Sequence, residues 1–350
     1  MEHPEEYRRI ARERMPPVPR TPEAWVDAYV SLRKALGFNT RDARGVLGSL
    51  CRFMRARDLR SFDQIDRAGA LSWLHQGHVQ EARIGGRLCA ARGFFRYLRS
   101  LGAVRLNVWV SFTRPRPKRF IPYIFPIAEL RAVLERTLHM DDPRMNRSPW
   151  IQNTYRAAFH TTYACGLRVG ETCRLKLGDV DFKRSVLTVR KTKFGKTRLV
   201  PFNPRARELL AGYLERFRPA DCSRSADSPF FVNLRRRPFC ADTTSGHFST
   251  VCAAAGLYRP KRTKGDTVHG GTTIHALRHS FAVHRLLKWY EEGVDVNSKL
   301  PLLATYMGHT EYRYTQKYLT VLPTIIDMAG KRFAEMFEKP LRDLERPDGQ

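Results

Sequence analysis

The stretch VSFTRPRPKRFIPYIFP, residues 110–126, sets four prolines among four cations. Each proline removes a backbone donor and crowds the preceding turn, so no helix runs through this segment. An interruption of that kind a third of the way along the chain divides it into two bodies. The 350 residues are enough for each to bury a core of its own. The expected order is a short extension (1–20), a first domain (21–109), a basic proline-rich linker (110–126) and a second domain (127–350). Extended backbone carrying Arg114, Arg116, Lys118 and Arg119 suits contact with a phosphate backbone. A solvated spacer would read the same way.

Upstream of the linker, TPEAWVDAYVSLRKALGF starts with Thr21 as a helix cap and Pro22 at the first helical position, followed by apolar residues three and four apart. RDARGVLGSLCRFMRARDL, DRAGALSWLHQGH and VQEARIGGRLCAARGFFRYLRSLG repeat that period with arginines on the polar side. The first domain therefore reads as a basic bundle of about four helices. Downstream, PIAELRAVLERTL and SPWIQNTYRAAFHTTYACG are helical, with Ser148 as a cap. SVLTV and RLVPF are short β-branched runs on either side of a KFGK turn, which predicts a hairpin. Helical patterns resume in PRARELLAGYLERF, GHFSTVCAAAGL, TTIHALRHSFAVHRLLKWY and PTIIDMAGKRFAEMFEKPLRDL. The fold class is mainly α (α+β): a helical N-terminal domain and a mixed C-terminal domain with a small β-sheet.

Charge identifies the class of partner. Sixty-two Lys and Arg against 34 Asp and Glu give a net charge of +28, which points to a polyanion. No apolar run approaches the roughly 20 residues that span a bilayer, and the charged N-terminus does not resemble a signal peptide, so no membrane association is expected. The seven cysteines show no C-x-x-C pair, and neither a phosphate loop nor an H-E-x-x-H helix is present. Nothing in the sequence calls for a metal, a cofactor or ATP.

Four segments carry candidate chemistry: ACGLRVGE around Arg168, KTKFGK around Lys193, HALRH from His275 to His279, and GHTEYRYTQKYLT, residues 308–320, with three tyrosines. Taken singly each has a plain structural reading. His275 and Arg278 share a helix face, as solvated pairs often do. Glu171 stands one turn beyond Arg168, as in an ordinary ion pair, and aromatic turns commonly pack.

Order and spacing together resemble the tyrosine recombinase (phage integrase) family over essentially the whole chain. The family's A-x-G-L-R-x-x-E box stands here as ACGLRVGE and its H-x-L-R-H box as HALRH. Its hairpin lysine precedes TRLVP, its L-G-H box is MGH, and its tyrosine follows nine residues after that histidine. The resemblance implies a core-binding domain and a catalytic domain closing as a C-shaped clamp on double-stranded DNA. It implies Tyr318 as the nucleophile that forms a 3′-phosphotyrosine, with Arg168 and Arg278 clamping the phosphate. Lys193 would be the general acid, with Lys191 and Lys196 as competitors. His275 would assist proton transfer at the tyrosine, and His309 would hydrogen-bond a phosphate oxygen. Glu171 and His279 stand behind these residues, while Tyr312 and Tyr314 pack or line the approach. A covalent tyrosine link conserves bond energy, which suits a chain without an ATP motif.

HRLLKWYEEGVDVNSKLPLLATY, between HALRH and MGH, is longer than in the chromosome-dimer-resolving members and implies a lengthened helix or loop. With KYLTVLPTIIDMAGKRF it looks more like recombinases of transposons and other mobile elements. The tail helix, apolar through Ile325, Ile326, Met328, Phe333 and Phe337, packs on its own domain or, as in the family, on a neighbour in a homo-tetramer. Partner recombinases or a directionality factor fit the same frame, as does a cytoplasmic, nucleoid-associated location. Two other readings remain: a type IB topoisomerase-like enzyme, and a non-catalytic DNA-binding regulator.

Overall fold

The computed structural model describes residues 19–38, 40–77, 81–116, 118–140, 148–190 and 197–320. The chain divides into two compact units, Met1–Pro117 and Lys118–Gln350.

In the first unit, α1 (Pro22–Ala35) is capped by Thr21, whose hydroxyl accepts from the Ala24 amide at 3.2 Å. α2 (Arg41–Arg55), α3 (Arg67–His75) and α4 (Glu81–Ser100) bring the α-helices among its described residues to four. Asp66 caps α3 by accepting from the Gly69 amide at 2.7 Å. The helices close over an aromatic core in which Trp73 meets Trp109 edge-on, with ring centroids 5.2 Å apart. Trp109 belongs to a 3-10 turn, Val108–Ser111. Arg92 pins that turn to α4 through the carbonyls of Trp109 and Phe112.

The segment expected as a linker, 110–126, carries structure at both ends. Residues up to Phe112 pack on the first core. Beyond, β1 (Arg119–Ile121) pairs in parallel with β6 (Thr267–His269), which pairs antiparallel with β5 (Arg262–Lys264). Hydrogen bonds to a neighbouring strand won over the freedom of a tether.

Among its described residues the second unit carries two three-stranded sheets. The predicted hairpin is present: β3 (Val186–Val189) pairs antiparallel with β4 (Arg198–Pro201), and β2 (Val180–Asp181) pairs with β3 on its other side. The KFGK turn lies outside the described residues. Around the sheets stand α5 (Ile127–Arg136), α6 (Pro149–Ala164), the five-residue α7 (Val169–Cys173), α8 (Pro204–Arg216) and α9 (Ala241–Ala254). α10 (Ile274–Glu291), α11 (Val296–Met307) and the single turn α12 (Arg313–Gln316) follow. α6 begins at the expected place, although Ser148 makes no side-chain cap bond. α10 and α11, joined by a turn at Gly293, account for the long interval before MGH. The core gathers Phe159, Leu167, Phe230, Phe231, Phe248 and Leu277, so α10 is buried along one side and carries HALRH on its first turns. The tail with Ile325, Ile326, Met328, Phe333 and Phe337 lies outside the described residues, and among those described no helix is long and apolar enough to cross a membrane.

Candidate active site

The loop between α6 and α7 turns at Gly166, where φ is +56°. A Cβ there would strike the Phe281 ring, so glycine is required by both backbone and space. The turn delivers Arg168 to the first cap position of α7 with an extended backbone. Glu171 reaches back to its amide at 3.0 Å and to its guanidinium at 2.9 Å. Arg168 also donates to the Gly308 carbonyl at 3.2 Å, and a third of its side chain stays open.

Arg278 is 1 % exposed. The plain reading of HALRH as a solvated face fails for this residue. Its guanidinium donates to the carbonyls of Gly166 at 2.5 Å and Met307 at 2.6 Å, with Glu171 Oε2 3.9 Å away. Burial, then Arg168, lowers its pKa to about 9, so it remains a cation at neutral pH. Burial alone would raise the Glu171 pKa. The hydrogen bonds and charge of Arg198, then Arg168 and Arg278, outweigh it and hold the carboxylate at about 2.

α11 ends at Gly308 in the left-handed region, φ +67°, which turns the chain and presents His309. Nδ1 of His309 is 2.7 Å from the Thr315 hydroxyl, fixing the ring's orientation. Tyr318 is 5 % exposed, and its hydroxyl lies 2.8 Å from Nδ1 of His279. The His309 ring is nearly parallel to that of Tyr318, with centroids 6.4 Å apart. Burial raises the phenol pKa to about 12 against the pull of Arg278 and Arg168. Burial, His275, Arg278 and His309 hold His279 at about 3; burial and the surrounding cations hold His309 at about 3. His275 opens to solvent on one side. The protein around the rest of it, then Arg278 and Arg168, keep it at about 4. Its ring meets that of His279 edge-on at 4.6 Å.

Arg168, Glu171, His275, Arg278, His279, His309 and Tyr318 thus form one cluster drawn from three separated segments. The histidine within hydrogen-bond reach of the Tyr318 hydroxyl is His279, which the sequence had set behind His275. Four residues apart on α10, the two histidines share a face, and packing puts His279 against Tyr318 while His275 is the more open to solvent. Tyr312 and Tyr314 are exposed; the Tyr314 hydroxyl donates to Glu311 at 3.3 Å and its ring lies beside His309. Lys193, with Lys191 and Lys196, lies outside the described residues. Arg114 and Arg116 are exposed on the first unit, and Arg119 on β1 of the second, where Lys118 is half-buried.

Sequence reasoning passed over Arg198. Its guanidinium grips both Glu171 oxygens, at 3.0 and 2.8 Å, and donates from Nε to the Tyr306 carbonyl at 2.9 Å. A signal was there: strand alternation places Arg198 on the face of buried Val200, opposite exposed Leu199.

Comparison with known proteins agrees with the boxes. The phage integrase family pattern matches residues 143–324. A putative integrase/recombinase of Sinorhizobium fredii, y4rB, is 34 % identical over 89 % of this chain and 97 % of its own length. The tyrosine recombinase XerC of Staphylococcus aureus (strain MSSA476) is 28 % identical over 75 % of this chain and 78 % of its own. Among solved structures, a lambda integrase dimer bound to a COC′ core site shares the fold, with TM-score 0.57, 18 % identity, and coverage of 85 % of this chain and 95 % of that one. The Tn1549 transposon integrase in complex with a circular intermediate DNA does likewise, with TM-score 0.59, 18 % identity, and coverage of 86 % and 95 %.

Proposed function

This chain belongs to the phage integrase family, and we propose that it is a site-specific recombinase that cuts and rejoins double-stranded DNA through a 3′-phosphotyrosine at Tyr318. The observation that carries the residue assignments is the convergence of two guanidinium groups and three neutral imidazoles around one buried phenol.

In the cleavage step the Tyr318 oxygen bonds to phosphorus and the bond to the 5′ oxygen breaks. Negative charge grows on the non-bridging oxygens, where Arg168 and Arg278 supply fixed, bidentate donors. With the phenol at about 12 and the His279 imidazole at about 3, an ionised pair is far uphill before DNA binds. The phenolic proton therefore leaves toward His279 as the bond to phosphorus forms. His309 donates to a phosphate oxygen, and His275 tunes His279 from its open side. Lys193, between β3 and β4 in sequence and with Lys191 and Lys196 as its competitors, protonates the departing 5′ oxygen. The phosphotyrosine keeps the bond energy, and attack by a 5′ hydroxyl of a partner strand reverses the step.

Most of the affinity for DNA comes from phosphates, with Arg114, Arg116, Lys118 and Arg119 among the contacts. The integrase/recombinase name of the 34 % identical relative supports integration, excision or transposition of a mobile element as the setting. A tetramer joined by the tail beyond residue 320, partner recombinases or a directionality factor, and a place on the nucleoid complete the proposal.

The test is a random-sequence pool of nicked duplexes. Wild-type protein is expected to leave a denaturant-resistant adduct on a restricted set of sequences, and Tyr318→Phe none. An adduct surviving in Tyr318→Phe removes Tyr318 as nucleophile. Relaxation of supercoiled plasmids of arbitrary sequence would replace the recombinase with a topoisomerase-like enzyme.

A further inference from the structure

We propose that Arg198 is a positioning residue of this centre, holding Glu171, and through it Arg168, in register with the segment that carries His309. The inference rests on the recombinase reading for its catalytic consequence but not for its geometry.

Arg198 makes three bonds from one side chain that is 10 % exposed: two to the Glu171 carboxylate and one to the Tyr306 carbonyl. The chain then passes directly over it. A Cβ on Gly308 would sit 2.8 Å from Arg198 Nη1, so the turn before His309 is built against this guanidinium. At its other end Arg198 begins β4, opposite Val189 of β3, the last pair of that ladder.

The carboxylate explains why such a residue is needed. Arg168, Arg198 and Arg278 all lie within 4 Å of Glu171. With Arg198 absent, each Glu171 oxygen would lose a guanidinium donor and keep only its bonds to Arg168, leaving the carboxylate free to draw the Arg168 side chain inward. With Arg198 in place, Glu171 Oε1 is shared between Arg168 Nη1 and Arg198 Nη1, and Arg168 keeps an open side for phosphate. Lysine carries the charge but makes no two-point grip on a carboxylate.

Arg198→Lys and Arg198→Met are compared with wild type, each alone and combined with Glu171→Gln. The measurements are the single-turnover rate of adduct formation at saturating nicked duplex, the Kd for that duplex, and the thermal melt. The rate is expected to fall about a hundredfold in both single variants, the scale of a misplaced reacting group, with Kd little changed. On the Glu171→Gln background the further loss is expected to stay below about threefold, because the two side chains act as one unit. Equal fold-losses on both backgrounds, a loss confined to Kd, or a full rate in Arg198→Lys would overturn the inference. If Arg198→Met does not fold, the lysine variant decides. Amide exchange at residues 306–309 is read in parallel without DNA and should quicken in Arg198→Lys; unchanged exchange would sink the structural half. Should wild type bind duplex and never form an adduct, the recombinase reading fails, and the exchange result still stands on its own.

Discussion

Both units lay guanidinium groups on aromatic rings, as Arg236 on Trp150 in the second, but among the described residues only the second buries them. In the first, Arg57 is 3.9 Å from the centroid of Phe53, Arg33 4.6 Å from Phe38, and Arg87 5.6 Å from Trp73. Beneath them the buried residues are apolar. Every buried polar or charged residue among those described belongs to the second unit, Arg278 and Glu171 included. A surface that attracts phosphate collectively keeps its cations outside and its core dry. A centre that orders one phosphate has to take charge inside and neutralise it there, at the desolvation cost that burial imposes.

The largest effects should come from breaking that internal neutralisation. Glu171→Ala leaves Arg278 buried without its carboxylate and should cost about 3–5 kcal/mol of unfolding free energy, together with adduct formation in whatever fraction remains folded. Phe94→Ala, an aromatic deletion in the first core, should cost a similar ~3–5 kcal/mol yet leave the chemical step intact once DNA is saturating. If both variants lose stability and chemistry alike, the division of labour is wrong. Gly308→Ala comes next: the left-handed backbone costs about 1–2 kcal/mol, and the methyl group displaces Arg198. A lowered melting temperature with an adduct rate reduced beyond the folded fraction would be the signature.

Acid should separate the units more gently. His279 and His309 have folded-state pKa values of about 3, below the ordinary 6.5. Unfolding therefore takes up protons, and their contribution is complete above pH 6.5 and is lost as pH falls toward 3. Between pH 7 and pH 5 the melting temperature should drop, with amide protection fading first in the second unit. The smallest effect belongs to single surface cations. Arg96→Ala on α4 should weaken DNA binding only a few-fold, alike for all sequences, and lower the salt slope by about one. A sequence-selective loss there would mean that the first unit reads bases as well.

How much of this was legible in the sequence follows from how local each cause is. The helices were visible because caps such as Thr21 and Asp66 and the apolar period act within a few residues. Both box glycines had local reasons as well, left-handed turns at Gly166 and Gly308. The partner of Tyr318 was not legible, since two histidines of one box both face the site and only packing selects His279. β1, β5 and β6 were missed because strands of three residues are too short to show a period. Arg198 was hidden by its charge: a cation on a strand reads as a solvent-facing residue unless alternation is allowed to overrule it.

The parallel pairing of β1 with β6 governs how this chain can be cut apart for study. A fragment starting at Ile127, where the prolines suggest a boundary, would lose β1 and expose the backbone of β6 as a new sheet edge, open to pairing with other copies. It would also discard Phe125, a core ring whose amide donates to the buried Ser280 hydroxyl at 2.8 Å, two residues after Arg278. An excised catalytic half should therefore start no later than Lys118. One that starts at Ile127 and proves insoluble or inert would say nothing about whether the first unit is needed for chemistry.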